Sequence, residues 1–232
     1  MSYLPTTSAQ TTALQRGVMS QIYLWMTAGL LVTGAVASWT ATSPGMINLI
    51  YGNPFMIWVL LIGQIVMVVA LGAGIMRLST GVATALFLAY AALNGLTLSS
   101  IFLVYSQESI AQTFFVTAGT FGAMSLVGYF TKADLSGMGR FLIFALIGLV
   151  IGSIVNIFWA NSTLYWIITY AGVLIFAGLT AWDTQKLKVL SQQARDEPTA
   201  RRIALLGALT LYLDFINLFL FLLRIFGGSR NN

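Results

Sequence analysis

The segment Ile203–Phe226 reads IALLGALTLYLDFINLFLFLLRIF and has one acidic residue, Asp214, near its centre. As an α-helix, its 24 residues would measure about 36 Å, which is enough to cross a bilayer. Asp214 lies about 16 Å from the start of this segment, close to the middle of the hydrocarbon core. An aspartate side chain is too short to reach the interface from that depth. We therefore expect Asp214 to face the interior of a helix bundle or a water-filled cavity.

The rest of the chain has the same character. Its 232 residues are 58% hydrophobic and only 7% charged, whereas a soluble domain has about 25% charged residues. The sequence predicts an all-α integral membrane protein, with a polar N-terminal segment (residues 1–20) and a single transmembrane domain (residues 21–232). The only long polar loop that we predict runs from Thr184 to Arg202. The predicted spans number about seven and are Ile22–Thr42, Pro54–Met76, Thr80–Tyr105, Gln112–Thr131, Arg140–Trp159, Thr163–Asp183 and Ile203–Phe226.

Missing residue types exclude several functions. The chain has no cysteine and no histidine, so thiolate metal sites, cysteine nucleophiles and a serine protease with a histidine base are excluded. A retinal protein would need a lysine in the last span, and the lysines lie in predicted loops. We expect no enzymatic activity and no resident cofactor. The net charge of +5 could suggest nucleic acid, but the basic residues flank apolar spans, so we expect no nucleic acid partner.

The basic residues predict the orientation in the membrane. If the N-terminus is cytoplasmic, nine of the 11 Lys and Arg residues fall in cytoplasmic segments, and the outer loops contain none. The remaining two, Arg224 and Arg230, lie at the C-terminal end. Basic residues concentrate in cytoplasmic loops, so we predict a cytoplasmic N-terminus. Seven full spans then place the C-terminus outside, whereas a re-entrant last segment would keep it inside.

Asp183, at the end of the sixth predicted span, is a candidate partner for Asp214. Alone it could be an ordinary interfacial aspartate beside Lys186. Two carboxylates in a poorly hydrated site cannot both ionise cheaply, so such a pair holds a proton, binds a cation or takes a basic partner. Calcium usually has six to eight oxygen ligands, so calcium held by these two carboxylates would be weakly bound or largely hydrated. The two residues meet only if the last helix begins in the headgroup region or water penetrates deeply.

Other intramembrane polar and small residues have a simpler interpretation. The amides Gln64, Asn94 and Asn156 can hydrogen-bond to neighbouring helices. Asn217 follows Asp214 on the same helical face. Small residues four positions apart, as in the pairs Gly148/Gly152 and Gly119/Ala123, let helices approach closely in lipid. We interpret those pairs as ordinary packing.

Several motifs together resemble one known family. The stretch LTLYLDFINLFLFLLRIFG (209–227) resembles the last-helix signature of the Bax inhibitor-1 family, the transmembrane Bax-inhibitor-motif proteins. GLTLSSIF (95–102), FGAMS (121–125), KADLS (132–136) and WDTQK (182–186) agree with it in the same order. The resemblance covers nearly the whole chain and is strongest to bacterial inner-membrane members.

The resemblance implies both a fold and a function. The last helix would be central, wrapped by the other six. The protein would be a pH-sensitive calcium leak channel controlled by Asp183 and Asp214, with calcium, protons and the lipid bilayer as its partners. A cationic latch near the inner end of the second helix also belongs to the family pattern, and Arg77 is the residue in that region. Asn217 and Asn94 are candidates for further polar groups along the pathway.

Two alternatives remain open from the sequence. A secondary transporter would also use carboxylates at the midplane, but its helices are often broken by Gly or Pro, and the four prolines here lie at ends or in loops. A regulator that binds other membrane proteins, such as proteases or cell-death factors, would not need the acidic pair. It would instead depend on exposed loop residues such as Arg195–Glu197.

Overall fold

The structure is a computed structural model that describes residues 8–228, with the backbone alone for residues 8–16. Arg230 lies outside the described residues, and the side chain of Arg16 is not described. Within the described residues the chain forms nine α-helices and is all-α, as predicted. They are α1 (Ser8–Thr42), α2 (Pro44–Tyr51), α3 (Pro54–Gly74), α4 (Thr80–Leu98), α5 (Ile101–Val104), α6 (Gln107–Phe130), α7 (Ser136–Phe158), α8 (Ser162–Ser191) and α9 (Glu197–Phe226).

Side chains at the predicted breaks start several helices. The Asn53 side chain accepts a hydrogen bond from the Phe55 N–H at the start of α3, where Pro54 takes the first helical position. Ser79 accepts from the Val82 N–H in front of α4, and Ser106 does the same for α6. A proline at the first position and a serine or asparagine before it are common helix starts because they satisfy or remove orphan N–H groups.

Within residues 8–228, seven helical segments are long and apolar enough to cross a membrane, which confirms the predicted number. Some predicted boundaries were wrong. The segment Thr184–Arg202 is mostly helix, since α8 continues to Ser191 and α9 begins at Glu197. The polar N-terminal segment, for which no secondary structure was predicted, is helical from Ser8 onward. The error at Thr184–Arg202 arose because the polar end of a helix outside the hydrocarbon core does not show in hydropathy.

The described chain groups into two compact units, and α8 and α9 each contribute to both. Among the described residues, unit 1 comprises residues 8–103 and 187–212, and unit 2 comprises residues 104–186 and 213–228. The prediction that residues 21–232 form a single domain stays a prediction.

In unit 1 the first half of α9 is packed around Tyr212. The Tyr212 ring packs edge-on against Phe87 and Tyr90 of α4, with ring centroids 5.9 and 6.0 Å away. Its hydroxyl lies 2.7 Å from the Thr33 hydroxyl of α1, and Thr33 also donates to the Ala91 carbonyl. This half of α9 is therefore fixed to both α1 and α4.

In unit 2 the second half of α9 packs through aromatic side chains. Phe215 lies against Phe114 and Phe121 of α6, at centroid distances of 5.5 and 5.4 Å. Phe221 stacks on Phe176 of α8 at 5.8 Å. The far end of α9 is joined to the start of α6, because the Ser109 hydroxyl donates to the Phe226 carbonyl.

Burial ranks the helices clearly. In the most apolar window of α9, 72% of the residues are buried, against 6% in α3 and in α7. A helix that is apolar all round and buried belongs to a core, whereas apolar residues that stay exposed in a membrane protein face lipid. This confirms the prediction that the last helix is the central one.

Candidate functional site

Both predicted acidic residues are buried in unit 2. Asp214, on α9, is 5% exposed and Asp183, on α8, is 8% exposed. Among the described residues, Oδ2 of Asp214 has no hydrogen-bond partner. Buried polar atoms are nearly always satisfied, so a buried, unpartnered carboxylate oxygen needs a functional or structural reason.

The spacing on the two helices brings these carboxylates to the same level. Phe176 of α8 stacks on Phe221 of α9, which fixes where the two helices touch. Asp183 follows Phe176 by seven residues and Asp214 precedes Phe221 by seven residues. Because consecutive helices joined by a short loop run antiparallel, both steps lead about 10.5 Å in the same direction. Seven residues are also close to two full turns, so both aspartates lie on the faces where the phenylalanines meet.

This register removes the difference in depth that the sequence suggested. Asp183 was expected near the inner edge of the membrane because the sixth span was predicted to end there. The helix instead continues for eight residues beyond it, to Ser191. Asp214 accordingly lies within electrostatic range of both Asp183 and Lys186.

Lys186 is a basic partner of Asp183 on the same helix. Its Nζ lies 3.9 Å from Oδ1 of Asp183, and the Lys186 side chain is 58% exposed. The same ammonium lies over the Trp182 ring, 4.9 Å from its centroid. The spacing of three residues on one helix was the signal for this pair. The buried acidic pair therefore has one edge next to an accessible cation.

The residues around Asp183 attach α8 to α6 and α7. Trp182 fills the space over Gly139 of α7, where a Cβ atom would collide with its ring. The Thr184 hydroxyl lies 3.4 Å from the Ser125 hydroxyl of α6. Gln185 donates to the Ala133 carbonyl and accepts from the Leu135 N–H, which fixes the loop between α6 and α7. The residues on both sides of Asp183 are thus fixed by contacts with α6, α7 and the loop between them.

The other predicted site residues are divided between the two units. Arg77 is exposed just after α3, in unit 1, and is not placed in unit 2 with the acidic pair. Asn94, also in unit 1, donates to the Tyr90 carbonyl of its own helix. Asn217 is in unit 2, where it donates to the Leu213 carbonyl one turn earlier. The proposed pathway roles of these residues stay predictions.

The remaining amides behave as packing groups. Gln64 of α3 donates to the Leu93 carbonyl and the Thr97 hydroxyl of α4, so it joins two helices as expected. Asn156 accepts from the Asn161 N–H at the end of α7.

The acidic pair and Lys186 together can hold a proton or a weakly bound cation. Two carboxylates and one ammonium can share a proton or bind a hydrated cation, since carboxylate oxygens suit hard cations such as calcium. Within residues 8–228, no group of three or more acidic side chains is placed to hold a metal ion. A pair of this kind favours a passing or weakly held ion over a tightly bound one.

These features define a class: a multi-pass membrane protein whose last helix is buried and carries an acidic residue facing another on the preceding helix. The family model described as "Inhibitor of apoptosis-promoting Bax1" matches residues 15–232. The chain belongs to this family, the Bax inhibitor-1 family that its motifs resemble.

Bacterial relatives agree along nearly the whole chain. It is 56% identical over 214 residues to "Inner membrane protein YbhL" of Escherichia coli (strain K12), covering 91% of this chain and 92% of that protein. A protein of Deinococcus radiodurans is 44% identical and covers 100% of this chain and 98% of its own length. One of Borreliella burgdorferi is 40% identical, with 98% of each covered. The chain is an inner-membrane protein, as predicted.

Proposed function

We propose that this protein is a pH-sensitive cation leak channel that passes calcium and is controlled by Asp183 and Asp214. The observation that carries the proposal is the buried Oδ2 of Asp214, which has no hydrogen-bond partner among the described residues. Asp214 lies on the face of α9 that is turned toward Asp183. An ionisable residue inside a membrane protein is by default a functional one. Membership of the Bax inhibitor-1 family supports the same assignment.

In this proposal, charge interactions between the acidic pair and Lys186 stabilise the closed form of the channel. At higher pH, the two carboxylates share one proton or carry two negative charges. Lys186, 3.9 Å from Asp183, balances the charge at the edge of the pair. In that state the second half of α9, packed through Phe215 and Phe221, blocks the path. Lys186 takes the place that the family pattern gave to Arg77.

Protonation opens the path. When both carboxylates are protonated, the attraction to Lys186 and the shared hydrogen bond weaken, so the closed form loses stability relative to an open one. A proton can shift this equilibrium only because it binds the open form better. Binding of one proton changes the ratio of the two forms by up to about tenfold for each pH unit. Nothing in this scheme requires a chemical reaction, so we propose a channel and not an enzyme.

Calcium flux into liposomes containing the purified protein tests the proposal. Wild-type flux should rise as the pH falls from about 8 to about 5. Asp214→Asn and Asp183→Asn mimic the protonated state, so their flux should be high and nearly independent of pH. Glu197→Gln is the control, because it removes an exposed carboxylate whose partner is Arg201 at 3.3 Å.

Two results would contradict the proposal. A wild-type pH profile in both aspartate variants would remove the acidic pair from control. Flux no higher than in empty liposomes at every pH would favour a regulator that binds other membrane proteins or a secondary transporter. In the regulator, substitutions in Arg195–Glu197 should matter more than those of the acidic pair.

A further inference from the structure

A polar cavity lies at the opposite end of unit 2 from the motif around Asp183, where α7 ends, α8 begins and α9 ends. Its volume is about 270 Å³, and it is lined by Ser153, Asn156, Ile157, Tyr165, Ile168 and Arg224. These six residues include one cation and three side chains with N–H or O–H groups, and none of the six is acidic. A set of donors around a cation is the arrangement that binds an anion.

Arg224 is held in place by aromatic rings. Its guanidinium carbon lies 5.6 Å from the centroid of Tyr165 and 5.0 Å from that of Phe221. Phe221 is itself fixed by its stack on Phe176. A guanidinium has five N–H donors in a planar fork that matches phosphate and carboxylate oxygens. Ring contacts position this fork without using hydrogen-bond acceptors.

A second tyrosine near Arg224, Tyr105, keeps its proton at neutral pH. Tyr105 precedes α6 and lies outside the membrane-spanning segments. Burial raises the pKa of Tyr105 above 10.0, Tyr165 raises this pKa further, and Arg224 opposes both. Because Tyr105 keeps its proton, it contributes a neutral hydroxyl group near Arg224 and no negative charge.

The amide of Asn156 supplies a second kind of donor. Its carbonyl oxygen accepts from the Asn161 N–H, so its NH₂ is the remaining hydrogen-bonding group. Ser153 is different, since its hydroxyl donates to the Leu149 carbonyl at 2.7 Å. Asn156 and Arg224 are therefore the side chains that fit an anion best.

Aromatic residues place the cavity at headgroup depth. Trp159, next to the cavity at the end of α7, is 78% exposed, and Tyr165 lines the cavity itself. Tryptophan and tyrosine concentrate where the membrane meets water. A second cavity of about 640 Å³ is lined by neighbouring residues of α7, α8 and the loop between them, among them Val155, Leu164 and Ile167. An apolar groove beside a cationic cavity matches the two parts of a lipid.

We propose that the cavity around Arg224 and Asn156 binds the phosphate group of an anionic phospholipid, with an acyl chain in the groove between α7 and α8. The predicted orientation puts this site in the outer leaflet. The volume of about 270 Å³ is close to the lower limit of about 300 Å³ for small-molecule pockets, which suits a phosphate with part of its headgroup. The site is separate from the acidic pair and does not depend on the proposed channel function.

Native mass spectrometry of the purified full-length protein tests this site. Phosphatidylglycerol, which is anionic, and phosphatidylcholine, which is zwitterionic, are titrated separately, and inorganic phosphate is tested as a competitor. Wild-type protein should retain phosphatidylglycerol preferentially. Arg224→Gln should weaken that binding about fivefold and leave phosphatidylcholine unchanged. Arg140→Gln, at an exposed arginine near the other end of α7, is the matched control.

Further variants keep the test decisive. Arg224→Lys keeps the charge but loses the planar fork, so its phosphatidylglycerol binding should lie between those of wild type and Arg224→Gln. This intermediate affinity separates loss of charge from misfolding. Asn156→Leu should weaken phosphatidylglycerol binding with the arginine intact.

Three results would overturn the proposal. Equal phosphatidylglycerol binding by wild type and Arg224→Gln would mean that the cavity is not the site, and an equal loss in Arg140→Gln would mean nonspecific attraction. Displacement of phosphatidylglycerol by inorganic phosphate at equal concentration would make free phosphate the ligand.

Arg224 also stabilises α9, because a cation in the last turn of a helix interacts favourably with the helix dipole. That role alone predicts a loss of stability that is the same in either lipid.

Discussion

At the scale of single residues, the motif Trp182–Lys186 shows how one stretch of helix serves several neighbours. Successive residues on a helix point about 100° apart, so five in a row cover every side of α8. Asp183 faces the second half of α9, Thr184 reaches α6, and Gln185 holds the loop before α7. Substitution at any one of these positions should therefore affect a different contact.

Gly128 tests the closest contact near this motif. A Cβ atom at Gly128 of α6 would collide with the backbone carbonyl of Ala181 on α8, and backbone cannot move aside as a side chain can. We expect Gly128→Ala to lower the free energy of unfolding by about 1–3 kcal/mol, measured by thermal unfolding in detergent. Gly122→Ala on the same helix is the control, because its Cβ would have nothing within 4 Å. Equal melting temperatures for the two variants would contradict this contact.

Close approaches between helices were not where the small-residue pairs suggested. A Cβ atom would have open space at Gly119 and at Gly148, and only ordinary contact at Gly152. Tight approaches between helices include those at Gly128, Gly139 and Gly172, against Ala181, Trp182 and Phe221 respectively. The four-residue spacing is a property of one helix, whereas a close approach also depends on what the other helix presents.

At the scale of helices, α9 is a long element with a defined start. The Asp196 carboxylate accepts a hydrogen bond from the Thr199 N–H at 2.7 Å, as expected of the residue before a helix. Arg202 then donates to the Leu78 carbonyl in the loop before α4. The first turn of α9 is thus fixed both by its own cap and by a contact within unit 1.

The cap predicts a pH dependence of this first turn. The hydrogen bonds from Thr199 hold the pKa of Asp196 below its ordinary value of 3.8. Because the pKa is lower in the folded state, the stabilisation is present above the unfolded value and is lost as the pH falls through the folded one. We expect amide exchange of residues 197–202 to accelerate below about pH 4, after correction for intrinsic rates. Asp134, with a pKa lowered in the same way by Ser136, should affect only the start of α7.

Asp196→Asn provides the control for that exchange measurement. Asparagine is an equally good capping residue but does not titrate. The variant should keep slow exchange at neutral pH and lose the acid-dependent acceleration. An identical acid response in wild type and Asp196→Asn would show that another group controls the first turn.

At the scale of the whole molecule, apolar surface is distributed as lipid requires. The spans α3 and α7 leave most of their apolar side chains exposed, whereas α9 buries most of its own. The 30 residues of α9 give it a length of about 45 Å, more than the hydrocarbon core of about 30 Å. Its length favours a full span over a re-entrant segment.

Labelling of single cysteines tests the resulting topology. The chain has no cysteine, so each introduced thiol reports one position. In spheroplasts, an impermeant maleimide should label Asn161→Cys and Gly228→Cys from outside, and Asp134→Cys only after lysis, because of the positive-inside bias. Labelling of Gly228→Cys only after lysis would mean that α9 does not cross. All three positions are exposed, so the differences report sidedness.

The sequence by itself determined the membrane class, the number of spans and the burial of Asp214. These properties follow from composition along one dimension, since a residue's cost in lipid depends mainly on its own chemistry and depth. The sequence did not show where the polar end of a helix continues beyond the membrane, so the last turns of α8 were not predicted. The family was recognised from its sequence motifs.

Only the tertiary structure decided which groups meet. The contact between Phe176 and Phe221 sets the level at which Asp183 faces Asp214, and Lys186 lies 3.9 Å from Asp183 at the edge of that pair. The cavity at Arg224 likewise exists only because the end of α7, the start of α8 and the end of α9 meet. Such meetings depend on how far each helix is shifted and rotated against its neighbour. Every helix in lipid keeps that freedom until side chains from both partners pack together.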